Sequence, residues 1–194
     1  MKKIIAIFLF SVLCTFSFSQ SKIANRWAIE PFAAFGIESE FSLMGLEYGV
    51  QTNYSILDRL GAQISLGSFQ SLQKQYSWQR ANSSYMLVSL DIFGDLLRTK
   101  KGHRIRLSAG GTYFKGDLAY ASWYINTSDT NPDAFKPFFY KLRLYNNIGL
   151  NVKLSYLCPL TDKWQLGINL KGYDIIDGMF LHILSVGCSA VYTF

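Results

Sequence analysis

The chain has 194 residues, of which 49% are hydrophobic and only 16% charged, with 19 Lys plus Arg against 13 Asp plus Glu and a formal net charge of +6. Soluble domains carry about 25% charged residues, so this composition excludes an ordinary soluble surface, and the positive excess is too modest to argue for nucleic acid. No stretch beyond the N-terminus is apolar enough for a membrane helix, so the hydrophobicity is spread by alternation, as a transmembrane β-barrel spreads it.

Lys2 and Lys3 precede an apolar run from Ile4 to Leu13 that grades into Thr15, Ser17 and Ser19. A charged start, a short hydrophobic stretch and the small-x-small triplet Ser17-Phe18-Ser19 are what export and cleavage require. Residues 1–19 therefore read as a signal peptide, with Gln20 as the mature start and 20–194 as one domain. The run is shorter than the ~20 residues of a spanning helix. A retained anchor is one alternative; a lipoprotein signal at Ser11-Val12-Leu13-Cys14 is another, with Leu13 bulky where such signals want a small residue. Losing Lys2 and Lys3 takes Lys plus Arg from 19 to 17 and the net charge from +6 to +4. Cleavage also removes Cys14, leaving Cys158 in a predicted turn and Cys188 on the outer face of the last strand, in an oxidising compartment. Their separation favours two free thiols over a disulfide.

Period-two alternation then predicts strands at Arg26 to Ile37, Ser42 to Tyr54, Leu60 to Ser68, Ser84 to Ile92, Arg104 to Tyr113, Phe138 to Tyr156, Lys163 to Gly172 and Phe180 to Phe194. The clearest is Phe138 to Tyr156, where Leu142, Leu144, Ile148, Leu150, Val152 and Leu154 share one face and Lys141, Arg143, Asn147, Asn151, Lys153 and Ser155 the other. Eight is an even count, which lets both chain ends lie on the periplasmic side. Ser55 to Arg59, Phe93 to His103 and Leu157 to Asp162 read as periplasmic turns, and the longer Phe69 to Ser83 and Phe114 to Pro137 as outer loops. Trp27, Tyr54, Tyr156, Trp164, Tyr192 and Phe194 fall near one end of their strands. Phe41, Phe69, Tyr85, Tyr113, Phe138, Tyr140, Tyr173 and Phe180 fall toward the other, so two aromatic girdles are predicted.

The last strand keeps an apolar or aromatic face to the final residue, and its ending, Ser185-x-Gly187-x-x-Ala190-x-Tyr192-x-Phe194, resembles the C-terminal insertion signal of bacterial outer-membrane barrels. With the signal and the alternating strands, the chain resembles the small eight-stranded outer-membrane β-barrel proteins of Gram-negative bacteria, of the OmpA transmembrane-domain and OmpX kind. The resemblance implies an all-β, eight-stranded antiparallel up-and-down transmembrane barrel, integral to the outer membrane and monomeric. It implies contact with the lipid bilayer and lipopolysaccharide, and delivery by the barrel assembly machinery. It names no activity and no cofactor.

The alternation sends Arg26, Glu30, Glu47, Asp91, Arg104, Arg106, Lys153 and Lys171 into the lumen, together with Gln51, Gln63, Gln165, Asn151 and Asn169. Eight strands leave so narrow an interior that these charges must pair or stay hydrated, and Asp91 and Arg106 are the expected partners. A polar plug is expected, with a small-solute channel as the alternative. Catalysis is not expected: only His103 and His182 offer a base, Ser185 lies on the face opposite His182, and the His-x-Ser arrangement associated with lipid A deacylases is broken by Leu184. The remaining surface is the outer loops. The long strand before Tyr156 should project beyond the membrane, and Tyr76, Trp78, Tyr120, Trp123 and Tyr124 are candidate contacts for an extracellular protein or glycan. A secreted soluble barrel of lipocalin type, with the apolar face inside, is the competing architecture.

Overall fold

The computed structural model describes residues 27–39, 43–72, 74–75, 80–122, 139–175 and 182–194. The expected signal peptide, Arg26, Phe41 and most of the outer loops lie outside these residues. The strands are β1 (Trp27–Glu38), β2 (Leu43–Ser55), β3 (Leu60–Ser71), the two-residue β4 (Lys74–Gln75), β5 (Arg80–Arg98), β6 (Arg104–Ser122), β7 (Phe139–Pro159), β8 (Trp164–Ile175) and β9 (His182–Thr193). Each barrel strand pairs antiparallel with its chain neighbours, β3 joins β5, and β9 returns to β1, so eight strands close a barrel and β4 only extends the upper edge of β5.

Closure runs through Ala28 opposite Thr193 up to Glu38 opposite Ile183. The ladder skips Glu30 and Pro31, and proline has no N–H to give at that point. Gly187 lies opposite Ala34, where a side chain would press on the Ala33 carbonyl oxygen and on Ala34 itself. At the lower end the Phe194 amide donates to the Trp27 carbonyl at 3.1 Å.

Inward and outward faces alternate along the strands, apart from the lower end of β5. In β1 the odd positions Trp27, Ile29, Phe35 and Ile37 point out, and Ala28, Glu30, Phe32, Ala34 and Glu38 point in. The same phase buries Glu47, Gln51, Gln63, Asp91, Lys153 and Lys171 while Leu90, Ile92, Ile148 and Val152 stay on the outside. Slipping any strand by one residue would exchange the two sets. A barrel with charges inside and aliphatics outside is the inverse of a soluble lipocalin, so that competing architecture is contradicted. Strands of 12 or 13 residues, as in β1, β2, β3, β8 and β9, suffice to cross a bilayer at a tilt.

Several boundaries differ from expectation. β5 continues to Arg98, because Phe93 and Asp95 keep the inward phase of Ser89 and Asp91, so the expected turn from Phe93 shrinks to the residues around Gly102. Gly102 has φ of 87°, the left-handed conformation a glycine adopts without strain. β6 runs on to Ser122 and β7 to Pro159, which puts Cys158 in a strand and not in a turn. Both Cys158 and Cys188 are free thiols.

The expected upper girdle is also corrected. Tyr113 faces outward, but Phe69, Tyr85 and Tyr173 are buried inside. Each stands two residues from another buried position of its strand, Phe69 after Gly67, Tyr85 before Leu87 and Tyr173 after Lys171, so its phase sends it to the lumen, where it joins Leu43, Leu87, Phe114, Leu118, Tyr145 and Ile183. The side chains of Phe138, Tyr140 and Phe180 lie outside the described residues. The inward rings find room over glycines of neighbouring strands: Phe32 lies over Gly49 and Gly67, Phe93 over Gly61, Phe114 over Gly149 and Phe69 over Gly45.

Candidate functional site

The lumen is layered. Ala28, Leu157 and Val191 form an apolar floor at the end that holds Trp27 and Phe194, and the Phe69–Tyr85 cluster forms an aromatic roof. Within the roof, Tyr85 meets Tyr145 edge-on at 5.5 Å between ring centres, and Phe114 meets Tyr173 at 5.9 Å. Polar side chains fill the space between.

In that middle layer Glu30 of β1 accepts hydrogen bonds from Gln51 and Asn53 of β2, both at 2.9 Å. Lys153 of β7 reaches across the barrel to donate to Gln51 Oε1 at 2.7 Å and approaches Glu30 at 3.5 Å. Gln51 also donates to Gln63 at 3.0 Å, and Gln63 to Asp91 at 2.7 Å. Asn151 donates to Asp91 at 2.7 Å and to Thr112 at 2.6 Å. Higher up, Glu47 receives Lys171 at 2.9 Å, Tyr173 at 2.6 Å and Ser185 at 2.6 Å, so β8 and β9 converge on one carboxylate of β2. The Lys171 ammonium also stands 3.4 Å over the Phe32 ring.

The expected Asp91–Arg106 pair does not form. Arg106 binds Asp95, its direct neighbour across the β5–β6 ladder, at 2.7 Å, and Arg104 approaches the same carboxylate at 3.6 Å. Asp91 lies opposite Gly110 instead and is held by amides. A β-bulge between Asp95 and Leu97 re-aims the lower end of β5, and the Arg106 guanidinium lies 3.9 Å over Phe93. The sequence signal for Asp95 was present in the inward phase Ser89-x-Asp91-x-Phe93-x-Asp95. That phase runs past the strand end expected at Ile92.

This arrangement leaves little open volume. A cavity of about 10 Å³ lies among Gln51, Gln63, Ser89, Asp91, Asn151 and Lys171, which is room for a single water. Buried charges here are neutralised or hydrogen-bonded in place, and the layers above and below them are apolar. Among the described residues such an interior ties the strands together across the lumen.

The outside end differs. β5, β6 and β7 are 19, 19 and 21 residues long. Among the described residues β7 pairs with β8 from Gly149 to Pro159 and with β6 as far as Phe139. Residues 139–148, about 30 Å of strand at ~3.3 Å per residue, form with β5 and β6 a wall that, among the described residues, stands above the other strands. Tyr113 on its outer face donates to Asn146 at 2.5 Å. Tyr120 is part of this wall in β6, not of a loop. Tyr76, Trp78, Trp123 and Tyr124 lie outside the described residues.

At the lower end Trp27 packs at a tilt against Tyr54 with ring centres 4.6 Å apart, Trp164 likewise against Tyr192 at 4.9 Å, and Tyr192 meets Phe194 edge-on at 5.2 Å. Tyr156 bonds His103 at 2.9 Å and lies parallel to its ring, so His103 is engaged in this band. His182 opens β9 opposite Asp174. Among the described residues no group of His, Cys, Asp or Glu is arranged to hold a metal ion.

No protein-family model matches the chain, and no curated protein matches it significantly. Solved structures do. Neisserial surface protein A is 13% identical, covering 87% of this chain and 97% of that one with a TM-score of 0.62. The fold is that of the outer-membrane β-barrels. A major outer membrane protein of Thermus thermophilus is 12% identical, covering 87% and 99% with a TM-score of 0.59. Ail, the attachment invasion locus protein of Yersinia pestis, is 10% identical, covering 88% and 99% with a TM-score of 0.57. Ail is also known in complex with the heparin analogue sucrose octasulfate. The outer-membrane barrel architecture, with its apolar exterior and aromatic band, accounts for the apolar content without apolar runs that opened the sequence.

Proposed function

We propose that this chain is a non-catalytic integral outer-membrane protein whose closed barrel is a scaffold for an extracellular contact surface. The β5–β6–β7 wall and its loops engage a protein or glycan. Export with residues 1–19 removed, insertion by the barrel assembly machinery and a monomeric state in a lipopolysaccharide-bearing membrane belong to the same reading. The observation that carries it is the wall: strands of 19 to 21 residues exceed what crossing requires, and β6 and β7 carry the excess at the upper end. The layered lumen supports a scaffold over the alternative of a small-solute channel.

The wall carries basic positions, Lys74, Arg80, Lys115, Lys141 and Arg143, against Asp117. This balance favours an acidic partner, with a sulfated glycan the first candidate, and the sucrose octasulfate complex of Ail belongs to the same chemistry. Folded protein should bind immobilised heparin in a salt-sensitive manner, and K74Q/R80Q/K141Q/R143Q should weaken binding about tenfold or more while the barrel stays folded. Failure of the wild-type protein to bind heparin or any extracellular-matrix protein contradicts the reading. So does a stable, solute-sized conductance from purified barrels.

A further inference from the structure

The lower turns combine two features that the barrel itself does not need. Each exposes aliphatic side chains: Ile56 and Leu57 after β2, Leu96 and Leu97 at the β5 bulge, and Leu160 after β7. Each also carries exposed cations, Arg59, Arg98, Lys100, Lys101 and Lys163, against Asp58 and Asp162. Among the described residues Arg59, Lys100, Lys101 and Lys163 make no ion pair; Arg98 pairs with Asp58 at 3.0 Å.

The turns form one surface. Arg98 and Asp58 tie the first to the second, the Asp95 amide donates to the Arg59 carbonyl at 2.8 Å, and a side chain at Gly102 of the second would meet Pro159 at the third. Their height is set by the ladder. Leu97 lies opposite Ile105, which lies opposite the girdle residue Tyr156, and the Leu160 amide donates to the carbonyl of the girdle residue Trp164 at 2.9 Å. Leu97 and Leu160 therefore sit at the level of the aromatic band, and Arg98, Lys100 and Lys101 follow Leu97 beyond it. That is the order of a bilayer edge, acyl chain first and phosphate second. A water-soluble protein partner would not account for aliphatics in register with the band.

We infer that this collar recognises anionic glycerophospholipid headgroups in the periplasmic leaflet, the aliphatics anchoring the turns and the cations meeting phosphates. The inference rests on the membrane reading above. It is tested with protein carrying W78F/W123F, so that Trp27 and Trp164 report, reconstituted in phosphatidylcholine bilayers containing brominated phosphatidylglycerol or brominated phosphatidylcholine. The expected result is quenching that corresponds to at least a threefold preference for phosphatidylglycerol, lost in 0.5 M salt and absent in R59Q/K100Q/K101Q/K163Q, with unchanged heat-modifiable migration on gels. Equal quenching by the two lipids, or a preference that survives the four substitutions, overturns the inference while leaving insertion intact. Failure to insert into either bilayer overturns the membrane reading itself.

Discussion

The backbone amide of Phe194 donates to the carbonyl of Trp27, 3.1 Å away, and so ties the end of the chain to the start of the first strand. Its ring continues the band through Tyr192 and Trp164 on one side, while Trp27 continues it through Tyr54 on the other. One residue thus closes both the hydrogen-bonded cylinder and the aromatic girdle.

Replacing Phe194 by Asp should separate assembly from stability. The site lies at the membrane edge, where a charge costs about 0–1 kcal/mol, so a refolded variant should unfold in urea near the wild-type midpoint. Its yield of heat-modifiable protein in the outer membrane should nevertheless fall severalfold, with the exported, unassembled form accumulating. Wild-type yield removes any role for this residue in insertion.

Glu47 is the most heavily used luminal carboxylate, accepting from Lys171, Tyr173 and Ser185. Glu47→Ala leaves the Lys171 ammonium buried without its partner, a loss of about 3–5 kcal/mol. The double variant E47L/K171M should recover most of that loss, because neither charge remains to be solvated. Urea titration of the folded barrel in bilayers gives both values.

Asp91 and Asp95 should rank in the order the structure sets. Asp95→Asn deprives buried Arg106 of its counter-charge and should cost about 3 kcal/mol or more. Asp91→Asn exchanges one amide-bound acceptor for another group able to hydrogen-bond and should cost about 1–2 kcal/mol. The reverse order would restore Asp91 as the partner of Arg106.

The roof depends on ring volume. Phe69 is fully buried between Tyr85 and the space above Gly45. Phe69→Ala should cost about 3–5 kcal/mol through lost contact and residual cavity, measured by the same titration.

Much of this fold was legible because a barrel writes its two faces at a fixed period of two residues. The outward aliphatics from Leu144 to Leu154, the inward Glu30, Glu47 and Lys153, and the band of Trp27, Tyr54, Tyr156 and Trp164 all follow from phase. What escaped was phase near strand ends. Asp95 was lost because Gly94 and Asp95 look like turn residues, and the bulge that re-aims them has no marker in the sequence. The height of Phe69, Tyr85 and Tyr173 on their strands points to a girdle, although alternation turns them inward, with glycines making room for Phe69 at Gly45 and for Tyr85 at Gly116. Partner identity was not legible, since the wall fixes where a contact surface stands and its charge, but not the shape that meets it.

The aliphatic face of this barrel meets lipid. Cys188 lies on that face in the middle of β9, exposed on the barrel exterior. A spin label on Cys188, with Cys158 replaced by serine and the protein reconstituted in bilayers, reports its surroundings directly. High collision with oxygen and low collision with a water-soluble nickel chelate is the predicted result. High accessibility to the chelate would place this face in water and contradict the account.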